Sequence, residues 1–219
     1  MQPPLEAVGG QGPPTLLIPE IRDYQKINAE LVALLDQGHP LIRLEGAEGQ
    51  RLLASGLSGR WVATIEILGR TGPELAAGID APGLVIVAKG STADGVGSGL
   101  ANGRIIVLGD AGDGAGYGQS GGILVITGST GHRAGLRQSG GTLVLLGPVG
   151  RLASDRQSGG FLFARGRWLG PHSGRGRTGG TLVDWDIRMG DLPPDVSPAF
   201  DQFSEFAIPW LPKDFRLGP

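Results

Sequence analysis

Gly118-Gln119-Ser120-Gly121-Gly122 fits the pattern G-x-S-x-G, which in hydrolases marks a serine nucleophile on a sharp strand-to-helix turn. Such a serine needs a base, and the chain offers three histidines, His39, His132 and His172. The serine recurs in register, however, in Gln119-Ser120-Gly121-Gly122, Gln138-Ser139-Gly140-Gly141 and Gln157-Ser158-Gly159-Gly160. Each copy precedes an apolar run, the reverse of the nucleophile's context, so these read as corner serines bonded to backbone. A second constellation is the series Gln50, Asp94, Asp113, His132 and Arg151, all at one position of a repeat. Asp113, His132 and Arg151 are the residues a stand-alone enzyme would use. They equally fit a solvated ridge of mutually compensating charge.

The third constellation is basic. Arg133, Arg137, Arg151, Arg156, Arg165, Arg167, Arg175 and Arg177 fall between Thr130 and Gly180 with a single acid, Asp155, a local +7 in a chain of net charge -2. Arg137, Arg156 and Arg175 read as one column, whose charges repel unless an anion or a carboxylate neutralises them. The basic end is expected to face an acidic protein surface or a small anion such as a phosphorylated ligand.

Positioning these residues is the work of a repeat. Of 219 residues 41 are glycine, against a usual ~7%. Apolar content is nevertheless 40%, so the chain is no flexible linker. Short apolar or β-branched runs bounded by glycine predict eight strands: 41–45, 61–68, 84–88, 104–108, 123–127, 142–146, 161–165 and 181–185. Seven end on a glycine (Gly46, Gly69, Gly90, Gly109, Gly128, Gly147, Gly166), with spacings of 23 and 21 and then a constant 19. A unit this short cannot bury its own apolar face, but stacked units can. No helical period lies between the strands. The expectation is an all-β, right-handed parallel β-helix, a solenoid of about seven to eight coils. Gly109, Gly122, Gly128, Gly141, Gly147 and Gly160 are its structural repeat glycines, placed where corners need positive φ. Gln119, Gln138 and Gln157 stack into an expected glutamine ladder, bonded amide to amide along the axis.

Residues 1–22 read as a Pro/Gly-rich tail. Residues 23–38 read as a short helix capping the open end of the solenoid, with Ile27, Leu31, Leu34 and Leu35 at helical spacing, Asn28 as a candidate N-cap and Gly38 as the stop. The β-helix spans 41–186, and 187–219 is an aromatic, Pro-rich extension. Its Phe200, Phe203, Phe206, Trp210 and Phe215 either pack along the β-helix or dock on another subunit. Arg133, Arg137, Arg151, Arg156, Arg175, Arg177, Phe203, Phe206 and Trp210 are therefore the partner-interface candidates.

The absence of cysteine excludes disulfides, cysteine-ligated zinc and iron–sulfur centres, and thiol catalysis. The net charge argues against nucleic-acid binding. No apolar run nears the ~18 residues of a membrane span, and the N-terminus has no basic segment followed by an apolar core. A cytoplasmic protein is expected, with no catalytic, cofactor or metal residues of its own.

The units at 109–122, "GDAGDGAGYGQSGG", and 128–141, "GSTGHRAGLRQSGG", with Gly112-x-Gly114-x-Gly116 and Gly95-x-Gly97-x-Gly99, resemble the GXGXG β-helix domain. That domain ends the large subunit of glutamate synthase. It also forms the β-helical subunit of formylmethanofuran dehydrogenase and of the related formyltransferase/hydrolase complex. The likeness covers roughly 24–186; "INAEL" and "GLSG" also resemble the pattern of the formyl-transfer proteins. It implies a right-handed β-helix that holds neighbouring catalytic units at a fixed spacing, with flavin, molybdenum or tungsten, zinc and iron–sulfur centres elsewhere. The partners so implied are other subunits of a C1 (formyl) transfer complex, or else of a split glutamate synthase or related amidotransferase. The chain departs from the glutamate synthase arrangement in carrying no glutaminase or flavin domain, and from both families in its aromatic, Pro-rich tail.

Overall fold

The computed structural model describes residues 12–21, 23–164, 169–184, 196–211 and 213. Nine strands form one all-parallel sheet in chain order: β1 (Thr15–Leu17), β2 (Leu41–Glu45), β3 (Ala63–Ile67), β4 (Asp80–Ala88), β5 (Asn102–Val107), β6 (Ser120–Ile126), β7 (Ser139–Leu145), β8 (Gly159–Ala164) and β9 (Thr181–Asp184). Each strand's neighbour is the next in sequence, so every connection is one full turn of chain. The molecule is a right-handed parallel β-solenoid of about seven turns. The eight expected strands are all present. β1 is additional: it pairs Thr15 with Arg43 and Leu17 with Glu45, and three residues carry no readable period. The expected strand residues Arg165 and Trp185 lie outside the described residues.

Register sets two columns on the sheet. Ile42, Ile65, Ile86, Ile105, Leu124, Leu143 and Leu162 align strand by strand and fill the solenoid interior, each at most 1% exposed. The outward column runs Arg43, Glu66, Val87, Ile106, Val125, Val144, Phe163, Val183. From Val87 onward it is as apolar as the interior, which a water-facing column would not be.

Two helices explain the difference in cover. After the single turn α1 (Ile18–Ile21), α2 (Tyr24–Asp36) lays Ile27, Leu31 and Leu35 over the first coil, closing that end. Its N-cap is Asp23, whose carboxylate accepts from the Gln25 N–H at 2.9 Å; Asn28 does not cap. Asn28 instead donates to the carbonyls of Leu52 and Ser55 and accepts from the Ala54 N–H, latching the helix to the first turn. Gly38 follows the helix with φ +80°, as a stop should. At the other end of the chain, α3 (Ser197–Ala207) runs into a short 3₁₀ turn (Ile208–Trp210) and packs on the outward column. Rings link the layers: Phe163 to Phe200 at 6.0 Å and Phe200 to Phe203 at 5.7 Å, both edge-on. The tail's described part is thus packed along the β-helix, with Phe203 fully buried and Phe206 9% exposed. Phe215 lies outside the described residues.

Candidate functional site

Each coil leaves its strand, makes a one-residue parallel rung (Ala111, Thr130 and Val149 in successive coils) and enters a turn. In that turn every second residue has positive φ: Gly114, Gly116, Gly118 in one coil, Arg133, Gly135, Arg137 in the next, then Leu152, Ser154, Arg156. Alternating φ sign flips alternate peptides, so the N–H groups point up and down the axis in turn. Gly114 N–H donates forward to His132 O at 2.8 Å and Gly116 N–H back to Val96 O at 2.9 Å. The G-x-G-x-G register is therefore 114/116/118, equivalent to 95/97/99. Gly112 is not left-handed; it is held small by the Asp94 backbone lying against it.

The same distinction corrects the strand-end glycines. Gly122, Gly141 and Gly160 have φ of +61°, +68° and +73°, but Gly109, Gly128 and Gly147 are not left-handed. A Cβ on Gly109 would stand 2.8 Å from Ser91 N, and those on Gly128 and Gly147 would meet the carbonyl of the preceding coil. They are glycine because coils stack at β-sheet spacing.

The Asp113–His132–Arg151 series is a row of side-chain-to-backbone staples. Asp94 Oδ1 accepts from Asp113 N–H at 2.8 Å, Asp113 Oδ1 from His132 N–H at 2.7 Å, and His132 Nδ1 from Arg151 N–H at 3.0 Å. Asp113→Ala is expected to cost about 1 kcal/mol of stability by orphaning one donor, whereas Asp113→Asn, which keeps the acceptor, should cost a few tenths. Urea titrations of the two variants check this, and equal losses would remove the staple.

Ser120 and Ser139 are exposed and open strands β6 and β7, and no helix follows them. Gln119, Gln138 and Gln157 are fully buried. They form only part of a ladder: Gln157 Nε2 donates to Gln138 Oε1 at 3.1 Å, while Gln119 Nε2 and Gln138 Nε2 reach backbone carbonyls of their own and the next coil. The column ties turns to strands.

The arginines are the groups left facing solvent. Arg133, Arg137, Arg151, Arg156 and Arg175 are exposed. Arg177 is half-buried and donates to Gly180 O at 2.6 Å. Arg137 reaches the Tyr117 hydroxyl at 3.4 Å. Arg137 and Arg156 stack, with φ of +58° and +52°, but the third member of that column is Gly176, not Arg175. Leu169 pairs with Val149, twenty residues earlier, so the last coil holds one extra residue before its turn. Arg175 therefore aligns with Asp155, both accepting at their carbonyls from the left-handed Arg156 and Arg137 of the coil before. Arg165 and Arg167 lie outside the described residues. Among the described residues, no arginine of this face is within ion-pair range of a carboxylate; the salt bridges are Arg43–Glu66 at 3.0 Å and Lys89–Glu66 at 3.1 Å. No three His, Asp or Glu side chains among the described residues converge as a metal site would need. No described helix is long and apolar enough to cross a membrane.

Glu66 and its two cations mark where the outward column turns from charged to apolar, and Lys89 also lies 4.7 Å over the Trp210 ring. Trp210 is half-buried there. Burial pushes the Glu66 carboxyl up, but hydrogen bonds from Lys89 and Arg43 and the charges behind them outweigh it, leaving its pKa below the usual carboxylate range. A lowered folded pKa stabilises above the unfolded value of ~4.3 and is lost as pH falls through the folded one. The stability difference between wild type and Glu66→Gln should hold level above the unfolded value and shrink as pH falls below it, as read by denaturation at each pH. A cleft of about 410 Å³ lies between α3 and the strand starts, edged by Asn102, Arg104, Gln202 and Glu205.

Comparison with known proteins found no matching family model, no matching curated protein and no matching solved structure. Support for a function therefore comes from the chain's own residues.

Proposed function

We propose that the chain is a non-catalytic scaffold subunit of a multi-subunit enzyme, of the C1 (formyl) transfer kind that its repeat resembles. The observation that carries this is the arginine face. Arg133, Arg137 and Arg156 occupy left-handed positions where coils 95–99 and 114–118 place glycine. The backbone alone does not select arginine there, since Leu52, Ala54, Glu74, Ala76, Leu152 and Ser154 also hold left-handed positions. What sets these arginines apart is that they are exposed, with no carboxylate in ion-pair range among the described residues. Adjacent coils sit ~4.8 Å apart, so exposed guanidiniums on neighbouring turns repel by about 1 kcal/mol in water. A partner's carboxylates relieve that repulsion, and a rigid solenoid presents the charges at fixed spacing. The Asp113 and His132 side chains are engaged in holding the coil, which weakens a stand-alone enzyme reading.

The test is purification of the tagged chain from its native host, with co-purifying subunits identified by mass spectrometry. An amidohydrolase-like or formyltransferase subunit supports the C1 reading; a glutaminase or flavin-dependent synthase subunit moves it to a split amidotransferase. The Arg133→Glu/Arg137→Glu double variant should lose those subunits while unfolding as wild type does. A partnerless chain, or a complex indifferent to the reversal, overturns the scaffold reading.

A further inference from the structure

The two ends of the solenoid are covered differently. At the N-terminal end α2 buries the first coil. At the other end the inward residues of the last coil, Leu169, Ser173, Gly174 and Leu182, are half-exposed. Their counterparts one coil earlier, Val149, Ala153, Ser154 and Leu162, are buried. The core is therefore open at β9 among the described residues. Among the described residues no strand lies beyond β9 either. Outward-facing positions donate back to the preceding coil, as Leu108 N–H does to Ala88 O at 2.8 Å and Leu146 N–H to Ile126 O at 2.9 Å. By the same alternation the backbone amides of Leu182 and Asp184, in register with Leu162 and Ala164, point off the last rung.

We propose that this end is the docking site for an acidic partner chain, which adds a strand to β9 and covers Leu169 and Leu182. This rests on the scaffold reading and specifies where the partner sits. An open sheet edge takes an added strand by main-chain hydrogen bonding. The charge of the rim selects the occupant: Arg175 is exposed on this coil, with Arg177 beside it and Arg151 and Arg156 one coil away. A second copy does not fit. Head-to-tail stacking meets an N-terminal end already closed by α2 and β1. Tail-to-tail contact sets Arg175 and Arg177 against themselves. A partner edge strand flanked by Asp or Glu satisfies the backbone, the half-exposed leucines and the guanidiniums together.

The probe is an eight-residue blocked peptide of alternating Glu and Val, compared with its Lys/Val counterpart, added to the full-length chain. Amide exchange at Leu182 and Asp184 should be fast in the chain alone and slow about tenfold or more with the acidic peptide only. Arg175→Glu, checked for native thermal unfolding, should weaken the peptide by about tenfold; Arg175→Ala should weaken it less. Three outcomes overturn the proposal: both amides already as protected as Leu162 in the chain alone, no slowing by the acidic peptide, or equal slowing by both peptides. The scaffold reading fails separately, when the Arg133→Glu/Arg137→Glu chain keeps its co-purifying subunits.

Discussion

Replacing Gly141 by valine is expected to destabilise the solenoid by about 3–5 kcal/mol, enough to disorder the coils around β7. Two penalties act together. Gly141 has φ +68°, a region a β-branched residue scarcely enters. Its added Cβ would also lie 2.7 Å from Gly122 O and closer still to the Gly121 carbonyl, and neither backbone can withdraw without breaking the rung between coils. Gly118→Ala separates the two effects. Gly118 has φ +63° but no atom within 4 Å of a new Cβ, so only the left-handed cost of about 1–2 kcal/mol remains. Denaturant unfolding of both variants measures the gap. A loss below about 0.5 kcal/mol for Gly141→Val would refute the corner geometry.

Val144→Asp should act on a different layer. Val144 is fully buried, yet it faces outward, beneath α3 in the cluster of Phe163, Phe200 and Phe203. An unpaired carboxylate there costs several kcal/mol. The chain can escape that cost by letting α3 go, since the helix buries its apolar face against this column. The expected result is lost amide protection across 197–207 with the strand signal in circular dichroism intact. Leu143→Asp points into the solenoid interior, from which the charge has no escape, and should unfold the coils themselves. Phe203→Ala, at about 3–5 kcal/mol, should release α3 as Val144→Asp does. Loss of strands and helix together in Val144→Asp would show that the two layers are one cooperative unit.

These two experiments also divide what was legible from what was not. The coil is local: a glycine where the next turn's backbone passes, a positive φ at every second turn residue, and five apolar residues between. The sequence by itself therefore determined the repeat, its 19-residue period, the parallel stacking and the capping helix. Strand facing is not local. Leu143-Val144-Leu145 and Ile105-Ile106-Val107 are apolar on both sides, and a strand buried on both faces carries no alternation to read. Only α3, arriving from residues 197–207, decided that the outward column is a second core. Side-chain partners were hidden for a related reason. Asp113 and His132 look like charges in a row, but stacking brings a backbone N–H to each before another side chain can. Asn28 looks like a helix cap until the first coil supplies its carbonyls. The arginines were readable as a cluster, but their alignment was not, because one added residue before Leu169 moves Arg175 off the Arg137–Arg156 column. Short-range conformational rules fix a coil; which surface a coil meets depends on chain far away in sequence, and that is settled only in three dimensions.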